Sequence, residues 1–257
     1  MDIKTLQELQ AADERALVFT PLGLGGRMKP EDSADFQQRA IARFQLADDV
    51  AERTRQKFEQ LRAAYSHGVL CYELYTMVAD QAKLTLEQAL RDRFAAYYDS
   101  ATVEARERSR RGRPRRVHQI TVKSSADFFD QFHNVKAVEL RADSSQPWAE
   151  FNGMLNGLLA WARREGLIRG QFNRSLEPVQ QALRNIVAHG EYHLETPVEA
   201  ARELSDLAEF INHLWGQPTP GGRLYPAPVR RDIVAIGWSD DGQSTRAGSA
   251  DQLVDVN

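Results

Sequence analysis

Residues 183 to 190 read LRNIVAHG, and three of them could do chemistry together: Arg184, Asn185 and His189. Histidine titrates near neutral pH and can take or give a proton. Arginine stays charged, and its planar fork matches the oxygens of a phosphate. An asparagine beside them can hydrogen-bond a phosphate or orient the imidazole. The combination suits proton transfer at a phosphate whose charge is held by the guanidinium. A structural role is the competing reading. A histidine next to a helix-ending glycine is a good partner for the negative end of the helix, and Arg184 could pair with Glu177. The spacing alone recurs at Arg62–His67 and Arg113–His118. Only at Arg184 does Asn follow the Arg, at the end of an amphipathic stretch.

The elements that must position these residues are legible on both sides. In NRSLEPVQQALRNIVAHG, Pro178 stands early, Val179, Leu183, Ile186 and Val187 form an apolar face, and Gly190 is placed as the stop. Thr196 and Glu199 then form a capping box with Pro197 between them. Val198, Ala201, Leu204, Leu207, Ala208, Ile211, Leu214 and Trp215 predict a continuous helical stripe, closed at Gly216. Residues five apart on a regular helix differ by about 140°. Arg184 and His189 therefore meet only if the helix end bends at Gly190, or if a second subunit completes the site.

The rest of the chain predicts a mainly α protein. Residues 1–25 read as a loosely structured lead-in that ends in the Gly-rich PLGLGG. Helices are expected from Pro30, over 48–68, and over 68–99, the last with a possible break near Asp80. Residues 106–116, RERSRRGRPRR, carry seven Arg and one Glu and read as an exposed basic loop. VHQITVKS is a short strand or an extended connector. SADFFDQFHN is a helix capped by Ser125, with Phe128, Phe129 and Phe132 in the core. A further helix is expected from Pro147, with Trp148, Phe151, Leu155, Leu158, Leu159 and Ala162 on one face and Gly166 as its end. Residues 217–257 are Pro/Gly-rich and then alternate in DIVAIGW, which predicts a β-hairpin turning at SDDG. Residues 26–216 form the expected helical domain.

RNIVAH leading through a short turn into a final capped helix resembles the HEPN superfamily of helical ribonuclease domains. LEQALRDRF and INHLWG also look like the supporting helices of uncharacterised bacterial members. The resemblance implies a HEPN-like helical bundle, a homodimer with two motifs facing each other, and metal-independent cleavage of RNA. In that chemistry the 2′-hydroxyl attacks the adjacent phosphate, a base removes its proton, and an acid protonates the leaving oxygen. His189 is the acid/base group, Arg184 stabilises the phosphorane and Asn185 positions. The products are a 2′,3′-cyclic phosphate and a 5′-hydroxyl. Arg169 and Arg174, with Tyr192 and His193, are the candidate RNA contacts. The resemblance also implies a toxin or antiviral defence effector with an antitoxin or defence-system partner. Some members carry a modifiable Tyr two residues after the His; here Tyr192 stands three after His189.

Composition narrows the alternatives. With 257 residues and a net charge of −3, the chain is no uniformly nucleic-acid-coating protein. Residues 106–116 nevertheless hold a local +6, whereas 232–257 hold −4. The N-terminus lacks an apolar signal core and no apolar run is long enough to span a membrane, so a cytoplasmic protein is expected. Cys71 is the only cysteine, which excludes an intrachain disulfide and a thiolate cluster, and its apolar surroundings predict a buried inert thiol. His189 and His193 are spaced as a metal pair on a continuous helix, but Gly190 interrupts it, and neither a metal nor another cofactor is expected. Two other functions fit the same sequence: a non-catalytic HEPN-like module that binds RNA or protein, and a helical scaffold whose C-terminal hairpin is the interaction element.

Overall fold

The computed structural model describes residues 3–18, 27–108, 115–168 and 194–217, and the backbone of 233–239 and 242–248. Within the expected lead-in are two short helices. α1 (Leu6–Gln10) is held by a capping box between Thr5 and Glu8 and buries nothing. α2 (Glu14–Val18) sinks Ala16 and Leu17 into the core. Asp13 ties this segment down: its carboxylate accepts from the Arg15 side chain and from the Tyr72 backbone, while its own N–H donates to Val69 O.

The helical body follows the predicted elements. α3 (Pro30–Ile41) begins with proline and acids in its first turn, both suited to the donor-rich helix start. α4 (Glu52–Ser66) passes through a 3-10 turn at His67–Val69. Gly68 sits where any Cβ would strike the Tyr75 ring, so this turn admits no side chain. α5 (Glu73–Tyr98) runs unbroken for 26 residues. Asp80 does not interrupt it, because neither Gly nor Pro stands between 73 and 98. The helix ends where Asp99 and Ser100 take positive φ values.

Cys71 corrects an expectation: it is exposed, with its Sγ 3.7 Å from a Glu73 carboxylate oxygen. The connection between the 3-10 turn and α5 points it outward, away from the apolar face that periodicity assigned to it. Leu70 and Met77, nearby in the same apolar stretch of sequence, are exposed too.

A four-stranded antiparallel sheet is the main departure from the mainly α expectation. Its strands are β1 (Thr102–Glu107), β2 (Val117–Thr121), β3 (Ala137–Arg141) and β4 (Ala149–Glu150), in the order β2-β1-β3-β4. The basic stretch thus starts inside a strand, since Arg106 and Glu107 belong to β1. α6 (Ser125–Asn134) is capped by Ser124, whose hydroxyl accepts from Asp127 N, and not by Ser125. The helix expected from Pro147 begins only at α7 (Leu155–Arg164). Ala149 pairs with Leu140 instead, and Gly153 at φ +69° turns the chain into α7. Trp148 therefore stands just before β4 and not on α7. Gly166, at φ +72°, follows the end of α7 as the sequence predicts.

α8 (Pro197–Leu214) carries the predicted capping box between Thr196 and Glu199. Its buried face is rotated at the start: Pro197 and Ala200 are buried, whereas Val198 is exposed. From Leu204 onward the stripe is as read, and it packs on α5. β5 (Ile233–Ser239) and β6 (Gly242–Gly248) pair antiparallel, with Ser239 opposite Gly242 at the SDDG turn.

The core gathers on the second half of α5. The Phe94 ring meets those of Tyr98, Phe128, Phe129, Phe151 and Trp161, with centroids 4.7 to 5.6 Å apart. One turn away a buried carboxylate joins three helices. Asp92 accepts from the hydroxyls of Thr54 (2.9 Å) and Ser125 (2.8 Å) and from the Gln88 amide (2.8 Å). Three donors of this kind satisfy a group that would otherwise be costly to bury.

Candidate functional site

Arg184, Asn185 and His189 lie outside the described residues, as do Arg169, Arg174, Tyr192 and His193. Their two flanks are described and are firmly held. Upstream, the backbone N–H groups of Leu167 and Ile168 both donate to Ala162 O, and Ile168 is buried. Downstream, Glu195 N donates to the Thr76 hydroxyl of α5 at 2.9 Å. The Tyr65 hydroxyl sits 3.1 Å from Pro197 O and 2.7 Å from the Gln37 side-chain oxygen. Segment 169–193 therefore leaves from the end of α7 and returns at the junction of α4, α5 and α8.

The Arg62–His67 pair shows what this spacing does when it is structural. Arg62 binds Glu59 one turn earlier on α4 and reaches Ala42 O, while His67 sets its Nδ1 2.8 Å from Ala63 O at the end of the helix. Both side chains serve local contacts, and they do so in different directions, as the angular offset requires. His118, on β2, sets its Nε2 2.7 Å from the Glu107 carboxylate across the β1–β2 ladder. Arg113 is outside the described residues.

Close to the downstream flank, α5 and α8 share an ionisable seam that the sequence reading missed. Lys83 is largely buried, with its Nζ 3.8 Å from Asp80. The Glu203 carboxyl is pushed up from its ordinary value, first by burial. Asp206, Glu195 and Asp80 add to the rise and Lys83 opposes it. Such a carboxyl holds its proton to a higher pH than a surface one. The signal was faint: Glu203 sits on the polar side of the stripe expected for α8, one residue before Leu204. Among the described residues no group of three His, Cys, Asp or Glu is placed to hold a metal ion.

A second feature lies between α4 and α5. A groove of about 350 Å³ is lined by Arg53, Lys57, Gln56, Gln60, Thr85 and Gln88. Two cations and three amides suit an anionic or amide-bearing group. Gln88 links this groove to the Asp92 hub beneath it. No helix among the described residues is long and apolar enough to cross a membrane. Comparisons with protein-family models, with curated proteins and with solved structures found no match to the chain.

Proposed function

We propose that this chain is a metal-independent endoribonuclease of the HEPN type, acting as a homodimer in the cytoplasm. The observation that carries the reading is the run Arg184-Asn185-x3-His189-Gly190, set just before the capped helix α8. Its support in the fold is indirect but specific. The contacts of Glu195 with Thr76 and of Pro197 with Tyr65 fix the point to which the motif must return. In the proposed reaction His189 exchanges the proton, Arg184 neutralises charge on the phosphate, and Asn185 positions one or the other. A role as toxin or antiviral effector, with an inhibitory or activating partner, belongs to the same proposal.

The test is incubation of the purified chain with end-labelled RNA in the presence of a chelator, beside Arg184→Ala and His189→Ala. Cleavage should leave 2′,3′-cyclic phosphates. Each substitution should slow it by about 10² to 10⁴-fold. Products bearing 3′-hydroxyls from the earliest time points, or variants that cleave as fast as the parent, would overturn the assignment. The second reading, a non-catalytic RNA-binding module, is favoured by one observation, the excess of arginine on the β1–β2 hairpin.

A further inference from the structure

The two described ends of the arginine-rich stretch, 106–108 and 115–116, are organised by the sheet. Alternation along β1 and β2 puts Val103, Ala105 and Ile120 on the covered face, the one that packs on α6. Arg106 falls on the opposite face, beside the Glu104–Arg141 pair. Trp148 lies there too, its ring centroid 3.9 Å from the Arg106 guanidinium carbon and 4.4 Å from that of Arg141. Glu139 gathers Arg106, at 3.5 Å, and Arg115. Three arginines, on β1, on β3 and just before β2, are thus held in place by one tryptophan and two glutamates. Side chains restrained in this way lose less freedom when a ligand binds.

Past these pairs the charge stops being balanced. Among the described residues, the last bond across the hairpin is Glu107 N to Arg116 O. Arg108 and Arg116 are exposed there, and neither has a carboxylate partner among the described residues. Arg108 and Arg115 follow next on the two strands, where like charges facing each other oppose pairing. The intervening sequence adds three more arginines. Residues 106–116 carry +6 in a chain of net −3, so the remainder carries −9. A hairpin end that concentrates guanidinium in an otherwise acidic protein fits a polyanion whose charges are evenly spaced.

We infer that the end of the β1–β2 hairpin, with Arg106, Arg108 and Arg115 on its outer face, Arg116 on the other and Trp148 as a brace, docks the phosphate backbone of single-stranded RNA. This inference rests on the ribonuclease reading for its choice of polyanion. Trp148 and Glu139 are positioning residues: they set the directions of Arg106 and Arg115. Arg108 and Arg116 supply the uncommitted charge. Recognition by phosphate contacts alone carries no sequence preference.

The experiment measures fluorescence anisotropy of a short fluorescein-labelled single-stranded RNA of mixed sequence, titrated with full-length His189→Ala protein over a series of salt concentrations. Against it stands the same chain with Arg108→Ala and Arg116→Ala added. Each lost phosphate contact should lower the slope of log affinity against log salt by about 0.7, and the pair should weaken binding by about tenfold at low salt. Trp148→Ala should weaken it by less without changing the slope, since it removes no charge. Unchanged affinity and slope in the arginine variant, with an unchanged thermal midpoint, would overturn the docking surface. If the double variant does not fold, Arg108→Gln alone carries the same comparison. The two readings fail separately. A parent chain that cuts no RNA while its arginine variant loses RNA affinity leaves the docking surface standing without the nuclease. Equal cleavage by parent and arginine variant, with equal binding, does the reverse.

Discussion

Leu140 and Arg141 are neighbours on β3 and face opposite ways. The side of the sheet bearing Leu140 is apolar and closed: Val103, Ala105, Ile120 and Leu140 are at most 2 % exposed, and Phe128, Phe129 and Phe132 of α6 are buried in the same core cluster. The side bearing Arg141 is built from charge, with Glu104, Arg106, Glu139 and Arg141 in alternating pairs around Trp148. The first side is held by area removed from water and by close packing, neither of which needs a particular partner. The second depends on which charge meets which, and each pair gives back in side-chain ordering much of what it gains. The sheet therefore has one face whose work is stability, and one whose geometry can change at little cost to the fold.

That contrast can be broken most easily at Leu140. Leu140→Ala should cost about 2–5 kcal/mol, read as a lower urea midpoint with an unchanged slope. A loss under about 1 kcal/mol would mean that the inner face is not the stabilising one.

A charged contact that joins distant segments falls between the two faces. Hydrogen bonds from the Arg15 side chain, from the Arg15 backbone and from Tyr72 N lower the Asp13 carboxyl from its ordinary 3.8 to about 2, against an opposing effect of burial. A depressed folded value means that this stabilisation is complete above about pH 4 and is lost as pH falls toward 2. Solvent screening keeps it to about 1 kcal/mol. In acid titrations followed by circular dichroism, Asp13→Asn should be less stable than the parent at pH 7, and the gap should close on acidification. A gap that widens would contradict the sign.

The smallest effect belongs to the outer face. Arg141→Ala should change stability by less than about 1 kcal/mol in the same urea assay, even though it removes both the Glu104 pair and a contact with Trp148. A cost equal to that of Leu140→Ala would erase the distinction between the faces.

How well an element could be read depended on how much of its signal was local. The α8 boundary was plain because Thr196, Pro197 and Glu199 act within one turn of each other. The unbroken course of α5 could be read from the lack of Gly and Pro, although the length of the segment suggested a break near Asp80. The sheet was hidden for the opposite reason. Strands of six, five, five and two residues are too short to show a clear periodicity of their own. Trp148 was assigned to a helix face because Pro147 and the apolar residues after it imitate a helix start. Only the pairing of β4 with β3 tells otherwise. The Lys83–Glu203 seam was invisible because its members are 120 positions apart on two helices.

The sequence by itself determined the types and order of the candidate catalytic residues, the helix that must follow them, the single cysteine and the uneven charge. These are set by covalent order and by interactions within a turn or two. Tertiary structure decided which apolar residues are covered, which of the Arg–His spacings serve local contacts at Arg62, His67 and His118, and that the basic stretch is presented on a strand pair braced by Trp148. The physical reason is range. Helix caps and periodicity act along the chain, whereas burial, strand register and charge pairing depend on residues that only folding brings together.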